Sequence, residues 1–469
     1  MKNVDAVVVG GGVLGAFAAR ELTRYELSVL LLEKCADVCT GITKANTAII
    51  YPGYDHKPGT LKARLTLRAN SAAEELCAQL GVPFSRCGSL MVSYGEKADE
   101  VLKVKYDNGR LIGVPGLRLI SGAEAQELEP SLAQGVSTAI FAPTTATVDP
   151  WELCYAAFEN ARANGCEYRP GTELLGIRKE NDAYILLTDG GEIRTKAVVN
   201  CAGLCADRVH EMLFPPTVRI RVDAADYYLL DRGSARLTKV IFHETEERRK
   251  GITAVPTTGG SILVGPAERE LAGEIGAVSS EGLASLHTLA ASVLPGLSGG
   301  EVIRSFAAVR PNPYGVVIRN GELVSDGTSI GSFVIEQPEE GFISFIGIKT
   351  PGLTCARELG ALAAEKISSA LGKQERTDFD GERKAIARVR GADSETLSLL
   401  IKNDPDYGEI VCLCESISKA EVLDAIRRGA VTADGVKRRC GAMLGACQGS
   451  RCRSRIEELL ASEELGVRS

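Results

Sequence analysis

Short apolar runs alternate with amphipathic stretches from the first residues onward. Asp5–Val9 is an apolar run that meets glycines, Val13–Arg24 carries helical periodicity, and Ser28–Leu32 is a leucine and β-branched run ending at Glu33. This pattern predicts a βαβ start. Further strand-like runs fall at Lys196–Asn200, Tyr227–Leu230, Ser261–Val264 and Phe342–Ile346, and helical ones at Trp151–Asn164 and Cys355–Leu371. Strands and helices mixed over some 370 residues predict an α/β core with an inserted, sheet-rich second domain.

Between Gly372 and Asp406 the apolar strands give way to the charged stretch GKQERTDFDGERKAIARVRGAD, which reads as a linker or connecting helix. Beyond Glu409, two helical stretches, Ser418–Arg428 and Ile456–Glu464, flank cysteine-bearing loops. Internal repeats and low-complexity tracts are absent from the sequence. At 469 residues the chain has material for two or three domains, and 45% apolar with 25% charged residues is ordinary for a soluble globular protein.

No apolar run reaches the roughly 18 residues needed to cross a bilayer, and MKNVDAVVVGGG enters a strand instead of a signal-peptide core. The expectation is a cytoplasmic protein, peripheral to the membrane at most through its partners. A net charge of −7 gives no whole-chain reason to bind nucleic acid; Arg248–Lys250 and Lys437–Arg439 are only local basic patches.

Gly10, Gly12 and Gly15 fit G-x-G-x-x-G, which allows a tight turn, close approach of backbone amides to a pyrophosphate, and close helix–strand packing. The motif follows a strand, opens a helix and precedes Glu33, eighteen residues beyond Gly15, where a carboxylate can hold a ribose hydroxyl. FAD and NAD both use this motif. Its N-terminal position and the lack of a second glycine fingerprint favour a tightly held flavin.

Fourteen cysteines should stay reduced in a cytosolic chain. Only Cys412-x-Cys414 and, after a long gap, Cys447-x4-Cys452 have ligand-like spacing. Two close pairs of soft thiolates satisfy the four-thiolate demand of a [2Fe-2S] cluster, and zinc also takes four thiolates, usually in repeated C-x2-C. Cys440 is a fifth candidate that spacing alone does not separate from a buried thiol. Lys437, Arg438, Arg439, Arg451 and Arg453 crowd these loops and would raise a cluster's potential or dock a partner.

Six segments in order, Ile42–Arg64 (ITKANTAIIYPGYDHKPGTLKAR), Thr147–Pro150, Val199–Asp207 (VNCAGLCAD), Ile262–Pro266, Val309–Pro313 (VRPNP) and Gly347–Thr354 (GIKTPGLT), resemble one flavoprotein family. This is the amino-acid-oxidase-like (DAO) group, which includes glycerol-3-phosphate and L-2-hydroxyglutarate dehydrogenases. The C-terminal segment resembles the bacterioferritin-associated-ferredoxin-like domain, where four cysteines hold [2Fe-2S] and the position of Cys440 is not a ligand.

The resemblance implies a Rossmann-like FAD-binding domain with an inserted antiparallel-sheet substrate domain, plus a small helical iron–sulfur domain. The oxidoreductase would span 1–372, with FAD-binding parts at about 1–85, 145–210 and 305–372 and substrate parts at about 86–144 and 211–304. A linker at 373–408 and a cluster domain at 409–469 would follow.

It further implies that Thr43, Asn46 and Thr47 line the flavin phosphates and ring, that Leu174, Ala202 and Gly203 touch the adenosine half, and that Gly352, Leu353 and Thr354 meet the isoalloxazine. The chemistry needs an aligned C–H bond near the flavin, a base for the hydroxyl proton and a cation for an anionic substrate group. The resemblance places Arg310 over the flavin, and its planar fork suits a carboxylate or phosphate. Lys349 is expected to add a second charge.

Relatives carry histidine in a segment like IIHAGY, where this chain has IIYPGY. An unperturbed tyrosine, with a pKa of about 10, is a poor base near neutrality. Three readings stay open: Tyr51 is shifted down, it only orients substrate, or the substrate differs. His56 is expected on an exposed turn.

The implied activity is oxidation of a small anionic hydroxy substrate, sn-glycerol 3-phosphate first. Electrons would leave through the cluster to a second flavoprotein or small redox subunit. The alternatives are L-2-hydroxyglutarate or another 2-hydroxy acid, an amine, opine or proline derivative, and a non-catalytic electron-transfer subunit.

Overall fold

The computed structural model describes residues 2–246, 251–271 and 276–467, so the basic run Arg248–Lys250 lies outside the described residues. The chain divides into two compact units, Met1–Gly381 and Glu382–Ser469.

In the first unit the strand Lys2–Val9 runs parallel to Val29–Leu32 on one side and to Gly191–Asn200 on the other. Phe342–Ile346 continues the sheet, also parallel, beyond Gly191–Asn200. The Val13–Leu22 helix packs between the helices Pro150–Ala163 and Gly352–Ala370. Ala6, Val8, Phe17, Leu31 and Leu359 share one buried cluster there. Each large side chain contributes about 1.5–3 kcal/mol by leaving water. The helix is buried on nearly every face, so even Arg20 is enclosed, with Asn160 Oδ1 accepting from its Nε at 2.9 Å.

A nine-stranded sheet forms the second layer system. Its longest pairing joins Val218–Leu230 to Val302–Arg319, antiparallel, with Asp223 opposite Arg310. One pair departs from the antiparallel expectation: Ser89–Ser93 and Val240–His243 run parallel. The sheet also continues past residue 304, through Val302–Arg319 and Glu322–Ser329, into a stretch expected among the FAD-binding parts. This follows because Arg310 must pair with Asp223, 87 residues earlier, and no local pattern reveals that partner.

The expected linker is divided between the units. Backbone bonds from Glu26 N to Gln374 O and from Arg376 N to Arg24 O tie its start to the first unit. The rest belongs to the second unit, where it forms the helix Ser394–Asn403, and Arg388 Nη2 donates to Arg439 O at 3.0 Å. That unit adds three helices, Lys419–Arg427, Ala433–Cys440 and Arg453–Val467, and one two-stranded ribbon. None of the described helices is long and apolar enough to cross a membrane.

Candidate active site and cluster loops

The glycine turn is shaped by close approach. A Cβ on Gly15 would lie 1.8 Å from Gly10 O, and one on Gly10 would lie 2.6 Å from Cys201 O. Helix, first strand and the loop carrying Ala202 and Gly203 therefore meet at a point where side chains do not fit. Gly12 begins the helix without a side-chain cap, and Val13 N donates to Thr43 Oγ1 at 3.0 Å. Asn46 closes on the same loop, Nδ2 donating to Thr43 O at 2.7 Å.

Glu33 accepts from Gly11 N at 2.7 Å and Cys35 N at 2.8 Å, which fixes its carboxylate beside the turn. Thr172 N donates to Glu33 O, bringing Leu174 into the adjoining core. The predicted nucleotide-binding residues thus converge from five separate segments. This cradle of backbone amides at a helix start, with a carboxylate at the second strand's end, fits a dinucleotide.

The residues expected at the reacting end gather around Thr354, whose hydroxyl accepts from Tyr51 N at 3.0 Å and lies 3.3 Å from Ile49 O. This pins the Tyr51 loop to the first turn of the Gly352–Ala370 helix, while Leu353 packs against the neighbouring core. The Tyr51 ring lies 6.0 Å from Phe242, and Thr47 hydrogen-bonds its phenol. Burial, reinforced by Asp55 and Tyr227, pushes this phenol up to about 12, against the opposing pull of Arg310. The downward shift entertained from sequence is therefore reversed, because loss of water outweighs one cation.

Arg310 forms an ion pair with Glu268, and its Nη2 donates to Tyr227 Oη at 3.3 Å. Burial works against its charge, yet Tyr227 and Glu268 hold its pKa above the ordinary arginine range. Lys349 Nζ donates to Asn312 Oδ1 at 2.7 Å, and Asn312 Nδ2 donates to Asp223 Oδ2 at 2.7 Å. Tyr227, Glu268, Asn312 and Phe242 escaped the sequence reading. Two signals were present: Asn312 alternates with Arg310 onto one strand face, and Gly265 is a glycine whose Cβ would strike the Tyr227 ring at 2.1 Å.

His56 corrects an expectation. It is buried, 8% exposed, instead of lying on an open turn. Its Nδ1 lies 3.5 Å from Asp55 Oδ1, and burial lowers its pKa against the charge of Asp55.

In the second unit the four predicted cysteines meet in two pairs, Cys414 with Cys447 and Cys412 with Cys452. Each pair takes one thiol from each loop. Gly445 permits this, since a Cβ there would lie 2.6 Å from Cys414 Cβ. Among the described residues no three ligating side chains converge as one metal ion requires. Four thiols brought together from two loops are the donor set that would hold a [2Fe-2S] cluster.

Cys440 is a core thiol, fully buried, its Sγ donating to Val436 O at 3.2 Å and its pKa raised to about 12 by burial. Of the nearby cations, Lys437 pairs with Asp434, Arg453 pairs with Glu457, and Arg439 is buried. All fourteen cysteines of the chain are free thiols.

Comparison with known proteins bears on both units. Residues 5–366 match the family of FAD dependent oxidoreductases (DAO), and residues 410–462 match the BFD-like [2Fe-2S] binding domain. The chain is 36% identical over 470 aligned residues to a glycerol 3-phosphate dehydrogenase of Caloramator mitchellensis, covering 99% of this chain and 95% of that protein. It is 32% identical to human mitochondrial L-2-hydroxyglutarate dehydrogenase over 56% of this chain and 61% of that one. The fold resembles that of the FAD-bound L-α-glycerophosphate oxidase of Mycoplasma pneumoniae, with a TM-score of 0.71 at 22% identity over 81% of this chain and 98% of the other. The chain therefore belongs to the FAD dependent oxidoreductase (DAO) family, as an FAD-dependent oxidoreductase with a [2Fe-2S] domain behind its catalytic unit.

Proposed function

We propose that the protein oxidises the secondary hydroxyl of a small anionic substrate, sn-glycerol 3-phosphate to dihydroxyacetone phosphate, and passes the electrons through its cluster to a partner. The observation that carries this reading is likeness to a glycerol 3-phosphate dehydrogenase along both units, not the first alone. Bound FAD supplies the two-electron acceptor. The chain's own residues supply recognition and proton handling.

Arg310 is the anion-binding group, its guanidinium fork suited to phosphate. Its partner Glu268 has a side chain 37% exposed, so that carboxylate turns to solvent as the substrate anion takes its place. Lys349, set by Asn312, adds a second positive charge, as a phosphate dianion needs. Tyr51, protonated across the physiological range, donates a hydrogen bond and orients the substrate.

L-2-hydroxyglutarate is the second reading, supported by the human relative and by the same pair of cations. The electron acceptor is a second flavoprotein or small redox subunit. Anaerobic mixing with glycerol 3-phosphate, L-2-hydroxyglutarate, lactate and proline derivatives tests the reading. Bleaching of the flavin is expected with glycerol 3-phosphate, and bleaching by amines alone would overturn it.

A further inference from the structure

The strand Ile49–Ile50 pairs antiparallel with Ala146–Val148, Ile49 opposite Thr147 and Ile50 opposite Ala146, and there the ladder ends. Tyr51 is the first residue beyond it. Pro52 follows, with no amide hydrogen to offer, and Gly53 turns the chain away at φ +93. The main-chain groups of Tyr51 therefore need partners outside the sheet, because a buried amide or carbonyl without one is costly.

Side chains from two helices supply them. The Tyr51 amide donates to Thr354 Oγ1 at 3.0 Å, on Gly352–Ala370. Its carbonyl accepts from Asn70 Nδ2 at 3.1 Å, on Leu61–Leu80. The same Nδ2 lies 2.9 Å from Thr144 O and 3.4 Å from Ile50 O, and its two hydrogens go to the two nearer oxygens. Thr144 O also accepts from Arg86 Nη1 at 2.8 Å, and Arg86 Nε donates to Glu74 Oε2 at 3.1 Å, one helical turn beyond Asn70. Thr66, one turn before Asn70 on the same helix face, packs beneath the turn, where a Cβ on Gly53 would lie 3.2 Å from Thr66 Cγ2. Asparagine is a poor residue for a helix interior, where its short amide competes for backbone partners. At position 70 it is buried, and its hydrogens serve the Tyr51 turn instead of its own helix.

This clamp holds the Tyr51 ring in place. Tyr51 and Phe306 pack against one apolar cluster that contains Phe242 and Tyr227, and the Tyr51 and Phe242 ring centroids are 6.0 Å apart. Tyr227 accepts from Arg310 Nη2 at 3.3 Å. Phenol and guanidinium thus share one neighbourhood but hang from different elements, Tyr51 from the turn and Arg310 from the strand Val302–Arg319. Both residues are half-buried, which leaves surface for a ligand to touch.

Resting on the hydroxy-substrate reading, we propose that Asn70 is a positioning residue: gripping the Tyr51 carbonyl while Thr354 holds the amide, it sets the Tyr51 phenol against the anion-binding Arg310. Its effect on catalysis is transmitted by the Tyr51 main chain. A shift of the turn by about 1 Å takes the substrate's carbon–hydrogen bond out of alignment and costs about 100-fold in rate. Arg310, on its own strand, goes on binding the anion.

The test is stopped-flow bleaching of the FAD-loaded protein by glycerol 3-phosphate in wild type, Asn70→Leu, Asn70→Asp, Tyr51→Phe and the two double variants. Asn70→Asp keeps the shape of the side chain and, ionised, has no hydrogen to donate. Each Asn70 variant is expected to lose about 10- to 100-fold in the limiting bleaching rate, with a much smaller change in the half-saturating substrate concentration and with wild-type flavin content. In the Tyr51→Phe background the same substitutions should cost little beyond Tyr51→Phe alone, the non-additivity of two residues that act through one group. Losses that multiply in full in the double variants, or a wild-type limiting rate in both Asn70 variants, overturn the assignment of Asn70 alone. Loss of flavin or of the folded state in both makes Asn70 a residue of the fold and overturns it as well. A wild-type protein that no hydroxy compound bleaches overturns the substrate reading and this assignment with it.

Discussion

Replacing Gly15 with alanine probes the nucleotide cradle at its tightest point. The added methyl would sit 1.8 Å from the carbonyl oxygen of Gly10, and real contacts of this kind do not fall below about 3.0 Å. The helix start must therefore retreat by about 1.2 Å, and backbone, unlike a flexible side chain, has nowhere to swing. Overpacking of this kind costs about 1–3 kcal/mol in stability. The shift would also draw the first-turn amides away from the pyrophosphate of a bound FAD. Losing one charge-assisted hydrogen bond, worth about 1.5–3 kcal/mol, lowers FAD affinity about 10- to 100-fold. Flavin retained per chain after desalting, and reconstitution followed by flavin fluorescence quenching, measure this. Gly41→Ala is the control, because Gly41 is exposed, has φ −88 and has nothing within 4 Å of its added methyl. A Gly15→Ala protein that holds stoichiometric flavin with unchanged affinity would refute the assignment of this turn to the pyrophosphate.

Arg310→Met should raise the KM for glycerol 3-phosphate about 10- to 100-fold, with a smaller change in kcat, and leave flavin content intact; an unchanged KM would remove Arg310 from anion binding. Tyr51 ties a pH effect to the fold. Its folded pKa of about 12 stands above the ordinary value of about 10, so its stabilising contribution is complete below pH 10 and is lost as pH rises through 12. Tyr51→Phe should flatten the alkaline fall in melting temperature over that window, and an identical fall in both proteins would contradict the burial assigned to the phenol. Cys452→Ser should abolish the cluster's visible absorption, whereas Cys440→Ser should retain it and lower stability by about 1–3 kcal/mol; loss of the cluster in both would make Cys440 a ligand.

The glycine turn, Glu33 and the paired cysteines were legible in sequence because their chemistry is local: fixed spacings within one strand–turn–helix or one loop. The proposed anion site was legible only in part. Arg310 stood in a recognisable run, but Tyr227 and Glu268 reach it from strands that pair with its neighbourhood across more than forty residues of chain. Strand alternation says which residues share a face, yet not which strand lies beside them, so Asp223 and Asn312 could not be joined to Lys349 beforehand. His56 failed for a related reason. A polar residue between Asp55 and Lys57 reads as a solvated turn, and its burial comes from Gly53 folding the turn against Thr66, a contact with no sequence period. The boundary near residue 381 was hidden similarly, because the charged stretch is held by bonds to Arg24, Asn164 and Arg439 that composition does not announce.

On the proposed function, electrons taken from a hydroxy substrate leave through the C-terminal cluster. Rapid freezing of the FAD-loaded, cluster-bearing protein after anaerobic mixing with glycerol 3-phosphate tests it most directly. Flavin bleaching is expected first, followed by the electron paramagnetic resonance signal of a one-electron-reduced [2Fe-2S] cluster, absent in Cys452→Ser. A bleached flavin beside a cluster that stays oxidised, with molecular oxygen alone reoxidising the flavin, would contradict it.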